Sequence, residues 1–151
     1  EDDLSARLGQ AMHRLLEWGL PAAGEAGVAQ LLSVAREFSL SPAQAQEAAL
    51  LAQRIHTGEG AWAWQADVVD WQGNEVELNH QGQSLRLDRL VRRRDTGAWW
   101  VLDYKSAPQP ERQPGLLAQM QRYLAAVRAA YPGAPVQAAF LTGDGRLVVA
   151  S

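Results

Sequence analysis

The stretch Arg86-Leu87-Asp88-Arg89-Leu90-Val91-Arg92-Arg93-Arg94-Asp95-Thr96-Gly97-Ala98-Trp99-Trp100-Val101-Leu102-Asp103-Tyr104-Lys105 sets two apolar runs around a polar turn. Arg94-Asp95-Thr96-Gly97 has turn chemistry, so 84–93 and 98–105 are predicted as the two strands of a hairpin. Side chains two apart on a strand share a face. Asp103 and Lys105 therefore point one way, Trp100 and Leu102 the other, and Trp99-Trp100 splits between the faces. Pairing Arg94 with Gly97 across a regular turn puts Asp88 directly opposite Asp103, with β-carbons about 5 Å apart. A single bulge at Gly97 would shift that register by one and separate them. Two carboxylates so placed repel each other unless a cation lies between them. Magnesium takes such oxygen ligands, one or two carboxylates completed by water and phosphate oxygens. The competing reading of Asp103 and Lys105 is a plain surface ion pair, worth little.

Working outward, residues 4–18 carry Leu4, Leu8, Met12, Leu15 and Leu16 in one helical stripe, and 27–38 repeat the pattern. Ser41-Pro42-Ala43-Gln44 has capping-box spacing and opens a third helix running to about His56, with Gly58 as its stop. Trp-rich residues 61–71 and alternating residues 75–79 are predicted strands, with Gly82 in the next turn. Residues 106–115 hold three prolines and form a loop; 116–130 read as a helix, and 136–141 and 147–150 as strands joined by Gly143-Asp144-Gly145. The expectation is one α/β domain over 1–151 with a helical N-terminal third.

The chain has 151 residues, 47% of them hydrophobic, enough for one core. No apolar run is long enough for a bilayer and no signal peptide is present. Cysteine is absent, which excludes disulfides, thiolate zinc sites, cysteine nucleophiles and iron–sulfur clusters within these residues. That fits a cytosolic setting without requiring one. A net charge of -3 is not the footprint of a non-specific nucleic-acid binder, so any such affinity needs a local patch. Five arginines, Arg86, Arg89, Arg92, Arg93 and Arg94, surround Asp88; they read either as solvated hairpin charges or as phosphate contacts. Of 14 basic residues, Lys105 is the one lysine. Either codon usage spared it, or its site needs a compact ammonium that the arginine fork does not replace. No Gly-x-x-x-x-Gly-Lys loop is present, so ATP chemistry has no seat here. The chain opens Glu1-Asp2-Asp3 without an initiator Met and is expected to be a piece of a longer protein.

Asp88, then Asp103-Tyr104-Lys105, then Gln119-Met120-Gln121-Arg122-Tyr123, resembles the Asp…Asp-x-Lys…Gln-x-x-x-Tyr signature of RecB-like nucleases. These belong to the restriction-endonuclease-like PD-(D/E)XK superfamily. Gly9-Gln10-Ala11-Met12-His13 resembles that family's Gly-x-x-x-His helix. Val91-Arg92-Arg93 and Ala139–Gly145 look most like the AddA-type subunit of bacterial double-strand-break repair complexes. The resemblance implies a mixed central sheet flanked by helices, and Mg²⁺- or Mn²⁺-dependent hydrolysis of DNA, as single strands delivered by a motor. It further implies helicase domains, and ATP use, elsewhere in a bacterial cytoplasmic parent chain, with a possible second nuclease–helicase subunit and no membrane. Asp88, Asp103, His13 and the Tyr104 carbonyl would hold the metal. Lys105 would act on the attacking water or the phosphate, Gln119 and Tyr123 would line the site, and Arg86, Arg89 and Arg92 would contact phosphates. Two departures stand out: Leu85-Arg86-Leu87 replaces the glycine often found before the first Asp, and the four cluster-binding cysteines of some relatives are missing.

Plainer readings compete for individual residues. His13 sits at the edge of an apolar stripe, as ordinary helix histidines do. His56 and His80 read as surface residues, Gln119 and Tyr123 as a core edge, and most tryptophans as packing. Glu75 or Glu77 would at most support the metal shell. At the level of function, the rivals are a nuclease-like module that has lost activity and only binds DNA or a partner subunit, and a phosphoesterase acting on small substrates.

Overall fold

In the computed structural model, which describes residues 2–150, a five-stranded mixed sheet lies between two helical layers. Glu1 and Ser151, the ends of the expected 1–151 unit, lie outside the described residues. The first layer is α1 (Asp2–Trp18), α2 (Val28–Glu37) and α3 (Pro42–Thr57). Of the stripe read from the sequence, α1 buries Met12, Leu15 and Leu16, which with Ala11 have at most 1% of their surface exposed, while Leu4 and Leu8 are half-buried. The opening of α3 is the expected capping box. The Ser41 hydroxyl accepts the Gln44 N–H at 3.1 Å, and the Gln44 amide oxygen takes the Ser41 N–H at 2.9 Å. Ala45, Ala48, Ala49 and Ala52 line the inner side of α3, so its backbone lies close to α1.

Gly58 ends α3 as expected, but without the left-handed cap that a helix-stopping glycine usually supplies, since its φ is -85°. The reason for glycine here is proximity. A Cβ would stand 2.5 Å from both the Arg54 and the Gly145 carbonyl oxygens. That closeness lets Glu59 N–H reach Gly145 O at 2.9 Å and ties the end of α3 to the far end of the sheet.

The sheet runs β1 (Val69–His80), β2 (Gln83–Arg93), β3 (Trp99–Lys105), β4 (Val136–Thr142) and β5 (Leu147–Val149), in that spatial order. Only β3 and β4 are parallel; α4 (Pro114–Ala130) makes the crossover and covers the second face. The Trp-rich segment departs from expectation. Residues 61–64 form a 3-10 turn, and the strand begins only at Val69 and continues through the expected second strand to His80. Trp62 and Trp64 fold back onto Trp100 and Tyr104, and burying those rings outweighs the strand propensity of an alternating apolar run. Gln81 and Gly82, both with positive φ (52° and 76°), close the β1–β2 hairpin in two residues.

The β2–β3 register is the expected one: Arg92↔Trp99, Val91↔Trp100, Leu90↔Val101, Arg89↔Leu102. The turn differs in size. Arg93 pairs with Ala98 (N–H to O 2.9 Å) around residues 94–97, with Gly97 at φ 70°. Trp99 joins the α4 cluster, stacked on Tyr131 at 4.0 Å, and Trp100 packs on the opposite side against Trp62.

Replacing Gly58 by alanine should cost more than about 2 kcal/mol, because two backbone carbonyls, not flexible side chains, stand in the way. Chemical denaturation of Gly58→Ala against the parent chain checks this; an unchanged midpoint contradicts the close-approach account.

Candidate active site

The β2–β3 ladder stops at Arg89↔Leu102, one pair short of Asp88 and Asp103. There the strands part, and a side chain takes over from the backbone: the Tyr104 N–H donates to Asp88 Oδ2 at 2.8 Å. Asp103, one residue earlier on β3, is close enough to Asp88 to feel its charge and reaches Lys105 Nζ with Oδ2 at 3.1 Å. From the other layer, α1 brings His13 over the fork. Its Nε2 lies 2.9 Å from the Tyr104 carbonyl oxygen, its Nδ1 lies 3.5 Å from Asp88 Oδ1, and its ring meets the Tyr104 ring edge-on at 5.5 Å. Thus His13, Asp88, Asp103, Tyr104 and Lys105, spread over 93 sequence positions (13 to 105), meet at one end of β3.

The electrostatics follow from crowding two carboxylates where water is scarce. Burial first, and the Asp88 charge second, push the Asp103 carboxyl from 3.8 up to about 7, against the partial relief given by Lys105. Burial acts on Asp88 in the same sense but is outweighed by His13, so Asp88 stays below the usual carboxylate value. Burial disfavours charge on His13, yet Asp88, Asp103 and the Tyr104 carbonyl together raise its pKa. The pair therefore holds one firm negative charge and one contested proton.

Helix α4 brings Tyr123 to the cluster. The ring is buried, and burial together with the Asp103 and Asp88 charges pushes its hydroxyl up to about 12. Gln119, one turn earlier, is half-buried and makes no side-chain hydrogen bond among the described residues. The three arginines expected on phosphate part company. Arg86 is exposed, lies beside the site and pairs with Glu75 at 3.0 Å. Arg92 forms a two-pronged pair with Asp70 (2.8 and 2.9 Å), about 13 Å along the strand from Asp88 at strand rise. Arg89 corrects the expectation outright. Only 2% of it is exposed, and its guanidinium donates to Asn74 Oδ1, Gln72 Oε1 and the Ala63 carbonyl beneath the Trp64 ring, so no surface phosphate reaches it.

Glu75 and Glu17 carried no firm role in the sequence reading. Glu75 has a positive φ of 51° where the β1–β2 ladder skips the residue facing Asp88; burial and the Asp88 charge raise its pKa against the pull of Arg86. Glu17 is four residues after His13, and that helical spacing was a usable signal. Both line an open groove of about 600 Å³ that runs past His13, Arg86, Tyr104 and Lys105. His56, expected at the surface, is half-buried against Trp64 at 4.9 Å.

Among the described residues no three His, Asp or Glu side chains form a ready-made ligand cluster. The donors on offer are two carboxylates and a main-chain carbonyl, with an imidazole beside them. Their chemistry fits a hard divalent cation, which takes few protein oxygens and completes its shell with water and phosphate. The raised Asp103 pKa marks the same need for positive charge between the carboxylates. No helix among the described residues is long and apolar enough to cross a membrane.

The family model of the PD-(D/E)XK nuclease superfamily matches residues 1–148. No curated protein matches the chain in sequence.

The proton on Asp103 has a consequence in metal-free buffer. Between 3.8 and about 7 the folded chain binds that proton while the unfolded chain has released it, so stability falls as pH rises through this window. His13 adds in the same direction, since its raised pKa gives stability that is full below 6.5 and lost as pH climbs through the folded value. Asp88, with a lowered pKa, acts only at more acid pH. The expected loss from pH 5 to 8 is on the order of 2–4 kcal/mol. Mg²⁺ should oppose it and Asp103→Asn should flatten it. Thermal melts in EDTA at several pH values read it directly, and a Tm that stays level or rises towards pH 8 contradicts the shared-proton site.

Proposed function

Since the chain belongs to the PD-(D/E)XK nuclease superfamily, we propose that it is a Mg²⁺- or Mn²⁺-dependent deoxyribonuclease of the RecB-like type. The observation that carries this reading is the meeting of His13, Asp88, the Tyr104 carbonyl, Asp103 and Lys105 at the β2–β3 fork. Asp88, Asp103 and the Tyr104 carbonyl hold the cation, with His13 as a further ligand. When bound, such an ion neutralises phosphate oxygens and supplies a water acidic enough to attack at neutral pH.

The chain's own groups do the rest. Lys105, fixed at 3.1 Å from Asp103, orients the attacking water or takes up charge developing on the scissile phosphate. Tyr123 lies within reach of the Asp103 and Asp88 charges from α4, Gln119 one turn earlier would line the site with it, and Arg86 sits in the adjoining groove as a phosphate contact. That the groove is open rather than a closed pocket favours a polymer substrate over a small phosphoester. Within the RecB-like type, the chain is the nuclease part of an AddA-like helicase–nuclease in the bacterial cytoplasm. There it acts on single strands fed by the parent's ATP-driven helicase domains during double-strand-break processing and recombination, beside a possible second subunit.

Labelled single-stranded DNA incubated with the chain and Mg²⁺ or Mn²⁺ should be cut, with no cutting in EDTA. Asp88→Ala, Asp103→Ala and Lys105→Met should each lower kcat by about 100-fold or more. Binding without any cleavage by the parent chain would favour the inactive, DNA-binding alternative.

A further inference from the structure

Arg89 and Asn74 link the two layers that build the site, and neither has a role in the chemistry above. Arg89 is a buried guanidinium with no carboxylate partner among the described residues. Burying such a charge on neutral acceptors is costly unless its donors are well used. Its two terminal nitrogens are, although Nε has no partner among the described residues: one donates to Asn74 Oδ1 at 2.6 Å, the other to the Ala63 carbonyl at 2.7 Å and to Gln72, with Trp64 stacked 4.6 Å away. Only a planar fork serves several acceptors at fixed angles in this way.

The far end of Asn74 leaves the sheet. Because a guanidinium only donates, Asn74 must turn its oxygen to Arg89, which leaves its NH₂ for the Glu17 carbonyl at 3.3 Å. Glu17 is in the last turn of α1, where carbonyls have no partner within the helix. One turn before it on α1 is His13. Asn74 also directly precedes Glu75, the left-handed residue at which the β1–β2 ladder lapses opposite Asp88. Backbone pairing is therefore weakest where His13 has to meet Asp88, and a side-chain bridge spans that place.

We propose that Asn74, anchored by Arg89, is a positioning residue that sets the α1 turn bearing His13 against the strand bearing Asp88. This rests on the nuclease reading for its effect on cleavage, but not for its effect on geometry. Asn74 is exposed, so its removal leaves the core intact.

The test compares the parent chain with Asn74→Ala, which lacks both bonds, and Asn74→Gln, which keeps an amide donor and acceptor. In metal-free protein, ring-to-ring NOEs between His13 and Tyr104 should weaken in Asn74→Ala while Tm moves by a few degrees at most. With Mg²⁺ and labelled single-stranded DNA, kcat should drop about tenfold with KM for DNA within about twofold, as for other groups that orient a metal ligand. Asn74→Gln should recover most of both readouts. Unchanged NOEs in Asn74→Ala overturn the proposal, as does a raised KM with kcat preserved, which would place Asn74 on the DNA instead. If the parent chain cuts nothing, the nuclease reading fails, and the NOE comparison still decides whether Asn74 positions His13.

Discussion

One hydrogen bond organises the site: the Tyr104 N–H, given up by the β2–β3 ladder, donates to the Asp88 carboxylate. A continuing ladder would have spent that N–H on backbone and kept the strands zipped. Handing it to a side chain opens the fork, pins Asp88 beside Asp103, and leaves the Tyr104 carbonyl free to face His13. Two carboxylates held together with little water cannot both ionise without outside charge, so the fork is built with a deficit of positive charge. The raised Asp103 carboxyl and the raised His13 are two expressions of that deficit.

Positive charge nearby does not fill the deficit, because each arginine is committed elsewhere. Arg93 closes on Asp95 and covers Trp62, Arg92 closes on Asp70, and Arg94 holds the Ala66 carbonyl. Arg89 points into the opposite core, and Arg86 is drawn to Glu75. Among the described residues, Lys105 is the one that forms an ion pair with Asp103. A single ammonium offsets part of that charge and leaves the two carboxylates still short of positive charge. The solitary lysine of the sequence thus sits at the fork, paired with Asp103.

The site also depends on two layers staying in register. Asp88, Asp103 and Lys105 belong to one hairpin and move together, whereas His13 arrives on a helix packed by Ala11, Met12, Leu15 and Leu16. Apolar packing fixes the distance between those layers but is loose about rotation, because hydrophobic contact is not directional. Directional bonds at the rim, from Asn74 to the Glu17 carbonyl and from His13 to the Tyr104 carbonyl, supply what packing lacks.

Much was legible from the chain alone, wherever the physics is local. Helical stripes, the Ser41–Gln44 box and the alternation in 98–105 depend on neighbours three to four or two residues away, and the structure follows them. The register that sets Asp88 near Asp103 was equally local, although the turn that delivers it spans residues 94–97 rather than two residues. Three things were settled only by long-range packing. Residues 61–64 turned instead of extending because Trp62 and Trp64 found Trp100 and Tyr104 across the fold. Arg89 went inward because its acceptors, Ala63 from the 3-10 turn and Gln72 and Asn74 from β1, are brought together only by the fold. And Glu75 and Glu17 joined His13 beside the fork because strand β1 breaks its ladder at a left-handed residue there, a backbone event set by the meeting of α1, β1 and β2 and by no one of them separately.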